Sequence, residues 1–184
     1  MLTKNIEFFS PQKIMESGQL FRMYKNADTG VFQIFSGSKL LLLKEEEPGV
    51  FALSCTEAEF ADYWANYLDE QTDYVSLYKT ICKTPGYFRD CAVSSQGIRV
   101  LNQDLFEMMI SFIISQQKRI PEIRKCIEAL CKRFGEPFEY GGEPFYSFPS
   151  PEKIAAAGSS GVPAFAFIPS LRYGTRFARP YTPY

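Results

Sequence analysis

The 184 residues contain no histidine. That removes every Ser–His and Cys–His nucleophile arrangement. The five cysteines, Cys55, Cys82, Cys91, Cys126 and Cys131, are odd in number, and none sits in a C-x-x-C spacing. Neither a zinc site nor a disulfide framework is expected; buried, reduced thiols in a cytoplasmic protein are. The residues left with chemistry to offer form a polar, basic turn, Gln116-Gln117-Lys118-Arg119. A primary amide presents a donor and an acceptor together, which suits it to a base edge. From position 116 to 134 the cations Lys118, Arg119, Arg124, Lys125, Lys132 and Arg133 outweigh Glu122 and Glu128. Such a patch can take phosphates; it is equally what a solvated helix face looks like. The formal net charge is −1 and the pI about 5.6, so the whole-chain basic field of many nucleic-acid binders is absent and any such contact must be local.

Two helices are expected to carry that turn. Residues 104–115 are apolar almost all round: Leu105, Phe106, Met108, Met109, Ile110, Phe112, Ile113 and Ile114. A helix without a wet face belongs in a core or a membrane, and this run falls well short of the ~20 residues a bilayer needs. Residues 121–134 are amphipathic, with Ile120, Ile123, Ile127, Leu130 and Phe134 on one stripe, Pro121 in the first turn and Gly135 just past the end. Upstream, residues 1–54 read as antiparallel hairpins, with strands at 19–25, 31–36, 39–44 and 50–54 and turns at 26–30, 36–38 and 47–49. One short helix opens at Ser10-Pro11 and ends near Gly18. Thr56-Glu-Ala-Glu59 is a capping box, and Phe60, Tyr63, Trp64, Tyr67 and Leu68 after it form a core face. A further helix is expected near 74–82, an irregular crossover over 87–96, and a last short helix over 151–157. Hydrophobic residues make up 46% of the chain and aromatics 16%, a globular composition that excludes wholesale disorder.

Two motifs resemble a known family. The first is S-G-Q-L-F-R at 17–22. The second is the ordered run G-I-R-V-L-N-Q-D at 97–104, S-F-I-I-S at 111–115, the polar turn, I-P-x-I at 120–123 and L-C-x-x-F-G at 130–135, with F-P-S-P-E following at 148–152. Together they are similar to the 8-oxoguanine DNA glycosylases of the helix-hairpin-helix superfamily. The resemblance implies an α+β fold, in which an N-terminal curved antiparallel sheet domain with helices (1–96) precedes the first helices of an incomplete all-α glycosylase domain (97–158). It implies base-excision repair of oxidised purines in damaged double-stranded DNA, by N-glycosylase with AP-lyase activity. No cofactor, metal or membrane is expected, and a bacterial, cytoplasmic monomer associated with the nucleoid through DNA is.

The resemblance also assigns roles. Gly18 matches a glycine whose carbonyl accepts a hydrogen bond from N7–H of 8-oxoguanine. Guanine has a bare acceptor at N7, and an unmatched buried acceptor costs ~1–3 kcal/mol. A plain helix C-cap glycine explains the local sequence as well. Phe112 is placed with Gly18 at the lesion. Gln116 and Gln117 fall in the turn that enters the duplex, with Gln117 filling the space beside the estranged cytosine. Lys118, Arg119, Arg124 and Lys125 are expected on phosphates. Glu122 stands where some relatives carry an arginine that reads the cytosine, which leaves strict cytosine pairing open.

The family attacks the sugar with a lysine amine beyond the hairpin, supported by an aspartate. Here Lys153 is the only lysine after Lys132, and no aspartate follows Asp104. No catalytic residue is therefore assigned, and a chain without glycosylase activity is expected. The resemblance ends at Gly158. Residues 159–184, rich in proline and lacking acids and lysines, read as a divergent tail without regular structure, expected from a frameshift or from genuine divergence. Two other functions fit: a relative of the alkylbase DNA glycosylases, or a non-catalytic damaged-DNA-binding fragment.

Overall fold

The computed structural model describes residues 1–157. The chain divides into two compact units, Met1–Leu105 and the residues from Phe106 onward.

The first unit is built on a five-stranded antiparallel sheet. Strands β1 (Leu2–Asn5), β2 (Met23–Lys25), β3 (Phe32–Ser36), β4 (Lys39–Glu47) and β5 (Val50–Leu53) stand in the order β1-β5-β4-β3-β2. Ile34, Leu41, Leu43, Phe51 and Leu53 are fully buried from it and form its core face. The edge strand β1 pairs with β5 from Leu2↔Leu53 to Asn5↔Val50. Helix α1 (Pro11–Glu16) starts where Ser10-Pro11 predicts, with Ser10 Oγ accepting from Lys13 N–H.

The Thr56 capping box closes on Glu59 and opens α2 (Glu57–Glu59). One π-helical turn over Phe60–Trp64 then leads into α3 (Ala65–Tyr67). Phe60, Trp64, Tyr67 and Leu68 are buried and Tyr63 stacks beside them, its hydroxyl 2.8 Å from Ser36 Oγ. These rings pack the core, as their spacing predicts. Helices α4 (Tyr74–Cys82) and α5 (Tyr87–Ser94) complete the unit.

Two expectations are corrected here. Residues 87–96 are not an irregular crossover: α5 occupies most of them, started by Gly86 in a left-handed conformation and not by a capping side chain. Residues 19–22 are not strand: Gln19 bonds through its side chain to a distant segment. Residues 97–104 belong to the first unit and are fastened to α1 and its flanks.

The second unit holds α6 (Leu105–Ser115, whose first residue closes the first unit), α7 (Ile120–Phe134), β6 (Pro137–Tyr140), β7 (Glu143–Tyr146) and α8 (Pro151–Ala156). It is not all-α. A two-residue Gly141-Gly142 turn, both glycines at positive φ, folds β6 onto β7. Gly135 is required by close approach: a Cβ there would lie 2.0 Å from the Ser147 carbonyl oxygen. Of the expected stripe of α7, Ile123, Ile127 and Leu130 are buried, joined by Cys131, while Phe134 is half-buried and Ile120, in the first turn, is exposed. Helix α6, expected dry on every side, buries only Glu107, Ser111 and Ile114, one per turn. Leu105, Met109, Phe112 and Ile113 lie on its exposed side, Phe112 at 46% exposure. The nearly unbroken apolar run hid that asymmetry. Residues 159–184, expected as a divergent tail, lie outside the described residues.

Candidate functional site

Gly18 stands just past Ser17, the C-cap of α1. Its φ of +76° is the left-handed conformation that glycine adopts freely and that commonly follows a helix cap, so it helps to end the helix. Nothing lies within 4 Å of where a Cβ would stand, so conformation and not space demands glycine. Ser17 organises the peptide that follows. Its hydroxyl donates to the Ile14 carbonyl at 2.8 Å and accepts from the Gln19 N–H at 3.4 Å. In a trans peptide the N–H and C=O oppose one another. With the Gln19 N–H turned to Ser17, the Gly18 carbonyl is aimed the other way. Among the described residues no donor reaches that carbonyl. Gly18 is thus both a helix-ending residue and a half-buried, uncommitted acceptor.

The next residue ties the two sequence motifs together. Gln19 Nε2 donates to the Arg99 carbonyl at 2.8 Å, and Gln19 Oε1 accepts from the Leu101 N–H at 2.9 Å. The side-chain amide pairs with the 97–104 segment as a strand's backbone would. Gln103 Nε2 returns a bond to the Gln19 carbonyl at 2.6 Å. Arg99, only 5% exposed, holds the segment from beneath. Its guanidinium donates to the carbonyls of Phe8, Leu68, Asp69 and Glu7 and lies 5.2 Å over the Tyr74 ring. Burial pulls the Arg99 pKa down from its usual value, against the opposing pull of Tyr74, Asp69 and Glu70. Gly97 packs tightly on the other flank, its carbonyl accepting the Ser10 N–H at 2.7 Å. Sequence reading did not assign Gln19 or Arg99 a role. Only their place inside the two matched motifs could have pointed to them.

The turn between α6 and α7 is built differently. The Lys118 N–H closes on the Ser115 carbonyl at 3.2 Å, and Gln117 takes φ +57°, a left-handed conformation that glutamine seldom adopts. Gln116, Gln117 and Arg119 are exposed, as is Lys125 one turn on. Lys118 is half-buried. Its Nζ is shielded from solvent and finds no hydrogen-bond partner among the described residues. Arg124 is also only partly exposed, and engaged. Glu122 Oε2 accepts the Arg119 N–H at 3.1 Å, which satisfies one of the free amides opening α7. Its local role is to shape the turn. The structure therefore gathers Gln116, Gln117 and Arg119 on one exposed turn, while Gly18 lies in the first unit and Phe112 in the second.

Among the described residues no group of three His, Cys, Asp or Glu side chains could hold a metal, and no helix is long and apolar enough to cross a membrane. Lys153 is paired with Glu136 on the surface.

Comparison with known proteins bears on this arrangement. The N-glycosylase/DNA lyase OGG1 of Arabidopsis thaliana is 27% identical over 147 residues, 76% of this chain and 39% of that protein. The solved structure of MBOgg1 in complex with a low affinity DNA ligand superposes with a TM-score of 0.76 at 32% identity, covering 90% of this chain and 58% of that one. The apo-form of the Clostridium acetobutylicum 8-oxoguanine glycosylase/lyase gives the same TM-score and identity over 82% of this chain and 52% of its own. This chain thus spans about half the length of those solved relatives and less of the plant protein. Their fold over the shared part is the α+β arrangement described above. The family model for the 8-oxoguanine DNA glycosylase N-terminal domain matches residues 1–109. With more than half of its length inside that match, the chain belongs to the 8-oxoguanine DNA glycosylase family.

Proposed function

We propose that this chain supplies the lesion-reading and duplex-contacting part of an 8-oxoguanine DNA glycosylase/AP lyase, acting on oxidised purines in double-stranded DNA as a cytoplasmic monomer. The observation that carries the reading is the Gly18 carbonyl: half-buried, uncommitted, and held by its neighbours in one orientation. An acceptor so placed favours a purine that carries a hydrogen on N7 and disfavours one that carries a lone pair there. The exposed Gln116-Gln117-Arg119 turn supports it as the element that meets the duplex. A base taken out of the stack leaves a hole, and an amide side chain on an exposed turn is suited to filling it.

Residues 1–184 hold one lysine past Lys132, ion-paired Lys153, and no aspartate past Asp104. We therefore expect this chain to bind the lesion without forming a Schiff base. Competition binding with duplexes containing 8-oxoguanine or guanine opposite cytosine tests the first part. Borohydride trapping on the 8-oxoguanine duplex tests the second. Tighter binding to the lesion with no covalent adduct agrees with both; equal affinities contradict the reading of Gly18, and a trapped adduct contradicts the absence of a nucleophile.

A further inference from the structure

We infer that Gln19 is a positioning residue that keeps the Gly18–Gln19 peptide from turning over, and so keeps undamaged guanine out; this rests on the reading of Gly18 proposed above. A glycine peptide is the easiest in a chain to rotate, because no Cβ restricts φ or ψ at its start. Rotation would exchange the two faces of the peptide. The Gly18 carbonyl would leave its position and the Gln19 N–H would take it. That N–H would be a good partner for the N7 lone pair of ordinary guanine and a poor one for N7–H of 8-oxoguanine. The same flip would erase the preference and replace it with its opposite.

Four hydrogen bonds oppose the flip. Ser17 Oγ holds the Gln19 N–H at 3.4 Å. The Gln19 side chain is fixed at both ends of its amide, to the Arg99 carbonyl and the Leu101 N–H. The plane after Gln19 is fixed by Gln103. The segment that receives Gln19 cannot follow a movement, since Arg99 is anchored on four carbonyls. Gln19 therefore transmits the rigidity of a buried arginine to one half-buried peptide.

The test compares the whole chain with Gln19→Ala and Gln103→Ala, each checked by thermal melting for a folded state. Affinities are measured for duplexes with 8-oxoguanine or guanine opposite cytosine. We expect the parent chain to prefer the lesion, and Gln19→Ala to narrow that preference by about tenfold. Part of the narrowing should come from tighter binding to the guanine duplex, which a merely structural loss cannot produce. Gln103→Ala should move the ratio the same way by less, and it decides the matter if Gln19→Ala does not fold. A folded variant that keeps the parent's ratio, or loses affinity for both duplexes equally, overturns the role of Gln19 and leaves the reading of Gly18 standing. A parent chain with no preference overturns both.

Discussion

The two stretches that resemble glycosylases most closely are used in opposite ways. Where motif 17–22 meets motif 97–104, polar side chains are turned inward and spent on the protein's own backbone: Gln19 on Arg99 and Leu101, Gln103 on Gln19, Arg99 on four carbonyls. In the turn at 116–119, Gln116, Gln117 and Arg119 are exposed, and Gln117 holds an unfavourable backbone conformation. Similar residue types thus build a rigid frame in one place and offer themselves to a partner in the other. Buried polar groups must be satisfied, so the first region is held by its own hydrogen bonds. Exposed ones need not be; backbone strain itself does not separate the two regions, since Phe8 and Asp69, whose carbonyls Arg99 holds, have positive φ as Gln117 does.

The comparison can be broken by substitutions that should act on one region alone. Arg99→Met is the most severe. It leaves the carbonyls of Phe8, Leu68, Asp69 and Glu7 without a donor, and a loss of ~3 kcal/mol or more in urea unfolding is expected. A neutral result would show that the junction is not what holds the first unit together. Gly97→Ala should follow. Its Cβ would lie 2.8 Å from Ser10 Cβ, at a φ of +89°, and about 2 kcal/mol of destabilisation is expected from crowding and strain together.

The mirror experiment is Gln117→Gly. Here glycine relieves the φ of +57°, so stability should hold or rise by up to ~1 kcal/mol while DNA affinity falls. A drop in melting temperature would assign Gln117 to the frame instead. Arg119→Ala and Lys125→Ala should leave unfolding unchanged within ~0.5 kcal/mol, yet each should lower the salt dependence of DNA binding by about one phosphate contact. An unchanged salt slope would remove them from the interface.

The smallest effect concerns pH and separates folding of the first unit from DNA contact. The Thr56 backbone N–H and hydroxyl pull the Glu59 pKa below its usual value. Its contribution is therefore complete above the ordinary carboxylate range and is lost as pH falls through the lowered value. Glu59→Gln should flatten the acid limb of the stability profile slightly; an identical acid limb would remove Glu59 from the account.

Much of the scaffold was legible because it is written locally. Ser10-Pro11, the Thr56 to Glu59 box and the stripe of α7 each announce an element within a few residues. What escaped is what local pattern does not encode. Helix α5 begins at a glycine after Pro85, which reads as a breaker. The β6–β7 hairpin carries a Gly-Gly signal, but its strands are only four residues long and each contains a proline. The exposed side of α6 could not be told from the buried side in a sequence apolar all round. At the site, Gly18 and the polar turn were picked out by resemblance. The frame around them was not, since Gln19 and its partners lie some 80 positions apart along the chain. The burial of Lys118 depends on how the turn closes, which residue type does not show.

The central claim is that one backbone oxygen, on Gly18, distinguishes oxidised from normal guanine. The most direct measurement is competition binding of the intact chain to three duplexes: 8-oxoguanine, 8-oxoguanine methylated on N7, and guanine, each opposite cytosine. The methylated base keeps the 8-oxo group but has no hydrogen to give the carbonyl. The account predicts that its affinity falls to that of guanine or below. If the methylated lesion binds as tightly as the unmodified one, the Gly18 carbonyl is not what reads it.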